Sequence, residues 1–256
     1  MLLKPGVNVW RVEDAARAAV LVDGAAYFRA VREALIRARH SVIIVGWDIH
    51  SRTRLVGETG RAEDGFPEPL ADFLSALVRR RPELNVCLLL WDYSMLYAME
   101  RELFPTLTLR WSTPRQVRFC LDNAVPLGSA QHQKLIVVDD AIAFTGGLDV
   151  TIRRWDTPAH KIDNPHRVDL AGKQYRPFHD VQMLVDGAAA GALAQIARAR
   201  WASVAAEEVA PSQPDGDPWP LSVSPDFTDS RIGIARTEPH YIDRRETREV
   251  EQLFLE

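Results

Sequence analysis

The run Ser41-Val42-Ile43-Ile44-Val45-Gly46-Trp47 constrains the fold more than any other stretch of the chain. It is rich in β-branched residues and shows no alternation of apolar and polar positions. A run of that kind is a strand covered on both faces, and it is far too short to cross a bilayer as a helix. Asn85 to Trp91 (NVCLLLW), Val117 to Leu121, Lys134 to Asp139 and Asp180 to Val185 repeat the pattern, and Ala141 to Thr145 is a short further strand ending at Gly146-Gly147. Helical spacing fills the gaps. Tyr27, Val31, Leu35 and Ala38 predict a helix from about 24 to 39, with Asp23 as its N-cap. Leu70, Phe73, Leu74, Leu77 and Val78 predict a second, closed by Pro82, and Ala188 to Val204 a third. Strands alternating with helices give an α/β fold: a mixed, largely parallel β-sheet sandwiched between helices.

The segments between these elements differ in kind. Residues 57 to 67 are rich in Gly, Pro and acid and read as a loop. Residues 150 to 178 carry Pro158, Pro165 and Pro177, which forbid a continuous helix. An irregular segment that long inside a domain points to function or disorder. Residues 209 to 230, with Pro211, Pro214, Pro218, Pro220 and Pro225, read as a linker or surface crossing. Ile232 to Arg236 suits one more strand, and Asp243 to Glu256 begins an amphipathic helix whose pattern is still running at the last residue.

Net charge is −4, so no overall basic character points to nucleic acid, which is an unlikely partner on this ground. Arg79-Arg80-Arg81 and Arg153-Arg154 read as solvated rims. Cys87 and Cys120 lie inside apolar runs and are expected as free thiols. Neither a signal peptide nor a transmembrane helix is apparent, which suits a cytoplasmic chain or one peripheral to the inner membrane.

The chemistry concentrates at His132-Gln133-Lys134-Leu135-Ile136-Val137-Val138-Asp139, a sequence of the form H-x-K-x-x-x-x-D. Side chains at i and i+2 of a strand point the same way, so His132 and Lys134 are expected to project together while the apolar residues anchor the strand. Gly146-Gly147 and Asp149 follow, the glycines allowing close approach of the backbone to an anion or a neighbouring strand. The chain has only four lysines against 27 arginines among its 31 basic residues, so a lysine in an apolar stretch is notable. With seven histidines available, such a motif arises by accident with odds of roughly one in a hundred.

These residues resemble the phospholipase D superfamily. His132, Lys134 and Asp139 match its H-x-K-x(4)-D motif, and Gly146-Gly147-x-Asp149 is similar to the G-[GS]-x-N segment that follows it, with Asp149 in place of the more frequent Asn. SVIIVGWDIHSR at 41 to 52, Arg154-Trp155-Asp156 and His179-Asp180-Val181 look like the bacterial lipid-cleaving branch. The resemblance covers nearly the whole chain and corresponds to the N-terminal half of a two-motif enzyme. It implies that residues 1–208 form a catalytic half-domain, that 209–230 link or cross, and that 231–256 start a second, truncated half.

What the resemblance implies for mechanism is a phosphodiesterase acting on phospholipid head groups. His132 attacks phosphorus and becomes a phosphohistidine, and Asp180 stabilises its other ring nitrogen. Lys134 grips a phosphate oxygen, Asp139 orients the motif, and Gly146, Gly147 and Asp149 line the phosphate site. No cofactor and no metal is called for. The second motif is missing here: in His179 to Asp186, Val181 stands where a lysine should be. A second catalytic half is therefore expected in cis, or from another copy in a homodimeric phosphodiesterase or nuclease. A truncated, non-catalytic half is the remaining alternative. His160 and His166 are expected at the surface of the irregular segment.

Overall fold

The computed structural model describes residues 2–92, 113–126, 128–213, 215–242 and 244–256, so Pro214 and Asp243 lie outside the described residues. Every expected apolar run forms a strand. Those strands are β2 (Ser41–Gly46), β3 (Asn85–Trp91), β4 (Val117–Asp122), β5 (Leu135–Val138), β6 (Ile142–Gly146) and β7 (Val181–Asp186). Two further strands, β1 (Arg11–Val22) and β8 (Phe227–Ile234), complete an eight-stranded sheet in the order β4-β3-β2-β5-β6-β7-β1-β8. The helices α1 (Asp23–Arg37), α2 (Leu70–Arg80) and α3 (Gly187–Ala205) cover its faces.

The expected mixed α/β sandwich is what the chain builds. Parallel pairing is confined to β2–β3 and β3–β4, and the five remaining pairings are antiparallel. Following those pairings across the sheet, β4, β3, β2, β6 and β1 run one way, while β5, β7 and β8 run the other. The antiparallel turn at β5 carries the H-x-K motif to the end of the sheet where β2 and β3 finish.

Two cores sit on the two faces. Val42, Ile44, Ile136, Val138 and Phe144 meet Tyr27, Val31, Leu35 and Phe73 from α1 and α2. Ile43, Val45, Leu135, Val137 and Val185 meet Ala190, Leu193, Ala197 and Trp201 of α3. Neighbouring residues of β5 fall in opposite cores, as a strand covered on both sides requires. At ~1.5–3 kcal/mol for each fully buried large aliphatic or aromatic side chain, these layers supply the driving force that fixes the motif strand in place. Cys87 and Cys120 are free thiols, and burial pushes Cys87 up to about 11.

β1 is the one long element the sequence does not announce. Its residues, RVEDAARAAVLV, are the Ala, Glu and Arg of a good helix former. Tertiary context decides otherwise: Ala15 and Ala18 are buried in the core formed with α3, where a larger side chain would hold the helix off the sheet.

Residues 209–226 return along the surface, tied by the buried Trp219 and by Arg17–Asp217 at 2.9 Å. The chain then enters β8 beside β1, so residues 231–234 belong to the main sheet, and the division drawn at 231 falls inside a strand. The expected C-terminal helix forms only from Glu249, as α4 (Glu249–Leu255). The two residues before it form β10 (Thr247–Arg248), which pairs with β9 (Thr237–Glu238).

The irregular segment is pinned to α1 through Gly24. Ala25 N donates to Asp156 O at 2.9 Å, and a Cβ on Gly24 would lie 2.2 Å from Arg154 O and 2.8 Å from Trp155 Cα. Both obstacles are backbone and cannot swing aside. Gly24→Ala is expected to cost roughly 2–3 kcal/mol in urea unfolding. Gly191→Ala in α3, where a Cβ meets nothing within 4 Å, should be neutral or stabilising by about 0.5–1 kcal/mol. Equal effects from the two changes would contradict this packing.

Candidate active site

His132 and Lys134 lie in the extended stretch that leads into β5. Gln131 Nε2 donates to Gln133 Oε1 at 2.8 Å, which puts those two amides on one side and His132 and Lys134 on the other. The shared neighbour of the motif pair is Trp47, just past the end of β2. Its ring lies 6.0 Å from the His132 ring, edge to face, and 5.9 Å from Lys134 Nζ, and it stacks on Trp91 at 5.7 Å. Continued past the strand ends, the register Val45↔Leu135 sets Gly46 opposite Lys134 and Trp47 opposite Gln133, which brings the tryptophan next to the motif pair.

Lys134 is buried and pairs with Asp149 Oδ2 at 3.0 Å, both side chains 5% exposed. The angles of this close pair do not make an aligned hydrogen bond, so the ammonium protons keep free directions. Asp149 Oδ1 accepts from Trp47 N at 2.8 Å, which fixes the carboxylate. Asp149 thus touches the lysine and the Trp47 backbone. An Asn at this position would lack the negative charge that Lys134 now faces.

Gly146 and Gly147 are required by their neighbours. A Cβ on Gly146 would lie 2.5 Å from Val181 O, and one on Gly147 would lie 2.1 Å from Asp180 Oδ1. The Asp180 carboxylate therefore rests on the bare face of Gly147, held by Val181 N at 2.8 Å, and its charge acts on Lys134. Its recorded partner is this backbone amide and not the His132 ring.

Asp139 stands apart from the other motif residues, at the far end of β5 in a left-handed turn with φ +50°. Its carboxylate accepts from Arg39 N (2.7 Å), His40 N (2.8 Å) and Ser41 N (2.8 Å). The β5 strand that separates it from Lys134 is about 13 Å long. Asp139 therefore holds the α1–β2 connection. Asp186 lies at the far end of β7, bonded to Arg17 at 2.7 Å, well removed from His179 at the other end.

Sequence reasoning missed a second cluster beside Asp180. Asp23, expected as a helix cap, makes no cap bond. Its buried carboxylate lies 2.8 Å from His179 Nδ1 and 3.4 Å from His160 Nε2. His160 is only half-exposed, whereas His166 is exposed as expected. The signal available was the Arg154-Trp155-Asp156 segment, whose Asp156 bonds His160 Nδ1 at 3.1 Å.

A cleft of about 940 Å³ opens at the motif end of the sheet, lined by His132, Lys134, Gly146, Leu193 and Arg236 among others. Burial, and next the charge of Lys134, hold His132 below its ordinary 6.5, with Asp149 opposing them weakly. Burial likewise lowers Lys134 from 10.5 despite Asp149. An imidazole of that kind is neutral at pH 7 and presents a lone pair.

No family model matches the chain. Curated relatives do. Over 201 residues, 66% of this chain, it is 26% identical to phospholipase D C of Dictyostelium discoideum. Over 204 residues, 61% of this chain, it is 24% identical to phospholipase D alpha 1 of Spuriopimpinella brachycarpa. The matched regions span 12% and 25% of those two proteins. Among solved structures, NucT from Helicobacter pylori overlays with a TM-score of 0.48 at 13% identity, covering 76% of this chain and 98% of its own. The chain is thus similar to phospholipase D proteins over 61–66% of its length, in a region that is a small part of those proteins.

Proposed function

We propose that this chain furnishes one half of a phospholipase D-type phosphodiesterase site, which cleaves or exchanges phospholipid head groups. The observation that carries the reading is the imidazole of His132 and the buried ammonium of Lys134 around one tryptophan, both bordering one cleft. A phosphodiester is anionic and resists attack, so its site must offer an uncharged nucleophile beside fixed positive charge. His132 bonds to phosphorus as the P–O bond to the head group breaks. Lys134 neutralises a non-bridging oxygen, sharing its charge between Asp149 and the substrate. Water or an alcohol then attacks phosphorus, the P–N bond breaks and the imidazole is restored. On this reading Asp180 turns from Val181 N to meet the imidazolium as it forms.

The leaving alkoxide also needs a proton, and the attack of water or an alcohol on the phosphohistidine needs a base. A second motif histidine, from a longer chain or a second copy, supplies both. The eight-stranded sheet with its helices, through β8, is then the catalytic half. No described helix is long and apolar enough to cross a membrane, and lipid contact on this reading is peripheral.

Turnover of phosphatidylcholine with added ethanol tests the function, using this chain and its full reading frame, with DNA in parallel. Phosphatidylethanol is the expected product. Turnover of DNA alone would replace the lipid reading with a nuclease.

The pH profile is a second check. His132 must be neutral to attack, and its value is lowered, so kcat/KM should rise with pH through an apparent pKa below 6.5 and then level. Lys134 must be charged, and its value is also lowered, so the rate should fall again through a pKa below 10.5. A rising limb centred above 6.5 would speak against His132 as the attacking base form.

A further inference from the structure

The cluster around Asp23 has features that neither the diesterase reading nor a simple helix start explains. Asp23 is fully buried, and its backbone adopts φ +67°, a costly conformation for any residue but glycine. The strain points its carboxylate at two imidazoles. Oδ1 accepts from Asp180 N at 3.2 Å and lies 2.8 Å from His179 Nδ1. Oδ2 has no hydrogen bond, and it lies 3.4 Å from His160 Nε2. A buried carboxylate oxygen left in that state costs about 1–3 kcal/mol or more.

His160 is oriented from behind. Its Nδ1 lies 3.1 Å from Asp156 Oδ2. Asp156 is itself buried and held by Arg167 Nη1 (3.0 Å to Oδ1), Thr157 N (2.8 Å) and Phe178 N (3.0 Å). A carboxylate on one ring nitrogen keeps the proton there and leaves the other nitrogen with its lone pair outward, the arrangement that supports metal-binding histidines. The lone pair of His160 Nε2 then faces the lone pairs of Asp23 Oδ2. Two acceptors at 3.4 Å are at the edge length of a tetrahedral site, which is about 3.3 Å when the bonds are ~2.0–2.1 Å. One ligand atom from each of Asp23, His160 and His179 lies within 4.8 Å of the others.

We propose that Asp23, His160 and His179 form a binding site for a zinc-class divalent cation. Two imidazoles and one carboxylate are borderline donors, suited to Zn²⁺ or Co²⁺ and poor for Mg²⁺ or Ca²⁺, which prefer oxygen alone. With three protein ligands a tetrahedral ion keeps one position for water. The ligands come from the start of α1, from the irregular segment, and from the residue before Asp180. A cation there staples residues 157–179 to the helix and steadies the strand that carries Asp180. The site stands on its own geometry, whether or not the chain is a diesterase, and the diesterase chemistry makes no use of it.

The test uses the whole chain, stripped with chelator and then titrated with Zn²⁺ alone by calorimetry, and with Co²⁺ by visible absorption. One saturating equivalent is expected, with a rise in Tm of about 5 °C at a hundredfold excess over Kd. Co²⁺ should show ligand-field bands of a four- or five-coordinate ion. His179 is largely exposed and His160 half-buried, so His179→Ala and His160→Ala should keep the fold while weakening binding at least tenfold, and the double variant should bind none. His166→Ala, outside the cluster, should bind as the parent does. No saturable binding by the parent chain, or equal binding by parent and double variant, overturns the proposal and leaves the cluster a hydrogen-bonded brace.

Discussion

Replacing His132 with alanine is expected to lower diesterase turnover by on the order of 10⁴-fold or more, the scale at which covalent nucleophiles fail when removed. The effect should be chemical and not structural. His132 borders solvent, with its ring partly shielded by Trp47, and lies outside both cores, so Tm should stay within a degree or two. Gln131 and Gln133 provide the internal control. They flank His132 in sequence and border the same cleft, but their amides are bonded to each other at 2.8 Å. Gln133→Ala should keep activity within a few-fold. A His132→Ala variant that turns over normally, or a Gln133→Ala variant that loses as much, would show that the chemistry does not rest on this imidazole.

The second large effect lies at the opposite end of the same strand. Asp139→Ala removes the acceptor of three backbone N–H groups at the α1–β2 connection. Each donor left without a partner costs about 1–3 kcal/mol, and the group is 2% exposed, so water only partly replaces it. The φ of +50° adds to the penalty, because alanine tolerates that region less well than aspartate. The sum is about 3–5 kcal/mol, or a Tm lower by about 10 °C for a chain of this size. Asp139→Asn, which keeps one oxygen and tolerates the same φ, should cost less. Chemical denaturation measures both, while activity at temperatures where the variant stays folded should fall only modestly. An Asp139→Ala protein of unchanged stability and no activity would instead give the motif aspartate a direct part in the chemistry.

These two positions show what could be read from residues alone. The strand carrying the motif was legible because Leu135 to Val138 is buried on both sides and needs no partner information to be recognised. The shared direction of His132 and Lys134 followed from the two-residue period. The role of Asp139 did not, since nothing in H-x-K-x-x-x-x-D says that the spacing spans the full length of a strand and puts the carboxylate under another connection. β1 was hidden because its Ala and Arg content favours a helix in isolation, and only the closeness of α3 selects for small side chains there. The Asp23 cluster was hidden for a different reason. Its members, Asp23, Asp156, His160 and His179, are far apart in sequence, and Asp23 before a helical pattern reads naturally as a cap. Lys134 facing Asp149 was half visible: the lysine stood out by rarity, but the partner was known only as a departure from the usual Asn.

The central claim is that the lone pair on His132 makes a bond to phosphorus, and one experiment addresses that bond directly. An activated diester, bis(p-nitrophenyl) phosphate, releases a phenolate that needs no proton donor, so even a half-site lacking its second histidine can complete the first step. Mixed with this chain at near-equal concentration and digested after a rapid quench, it should leave an acid-labile p-nitrophenyl phosphoryl group on the peptide containing His132, with one equivalent of phenolate released per active site. A stoichiometric burst with the adduct on a different residue, or sustained turnover with no adduct on His132, would contradict the account.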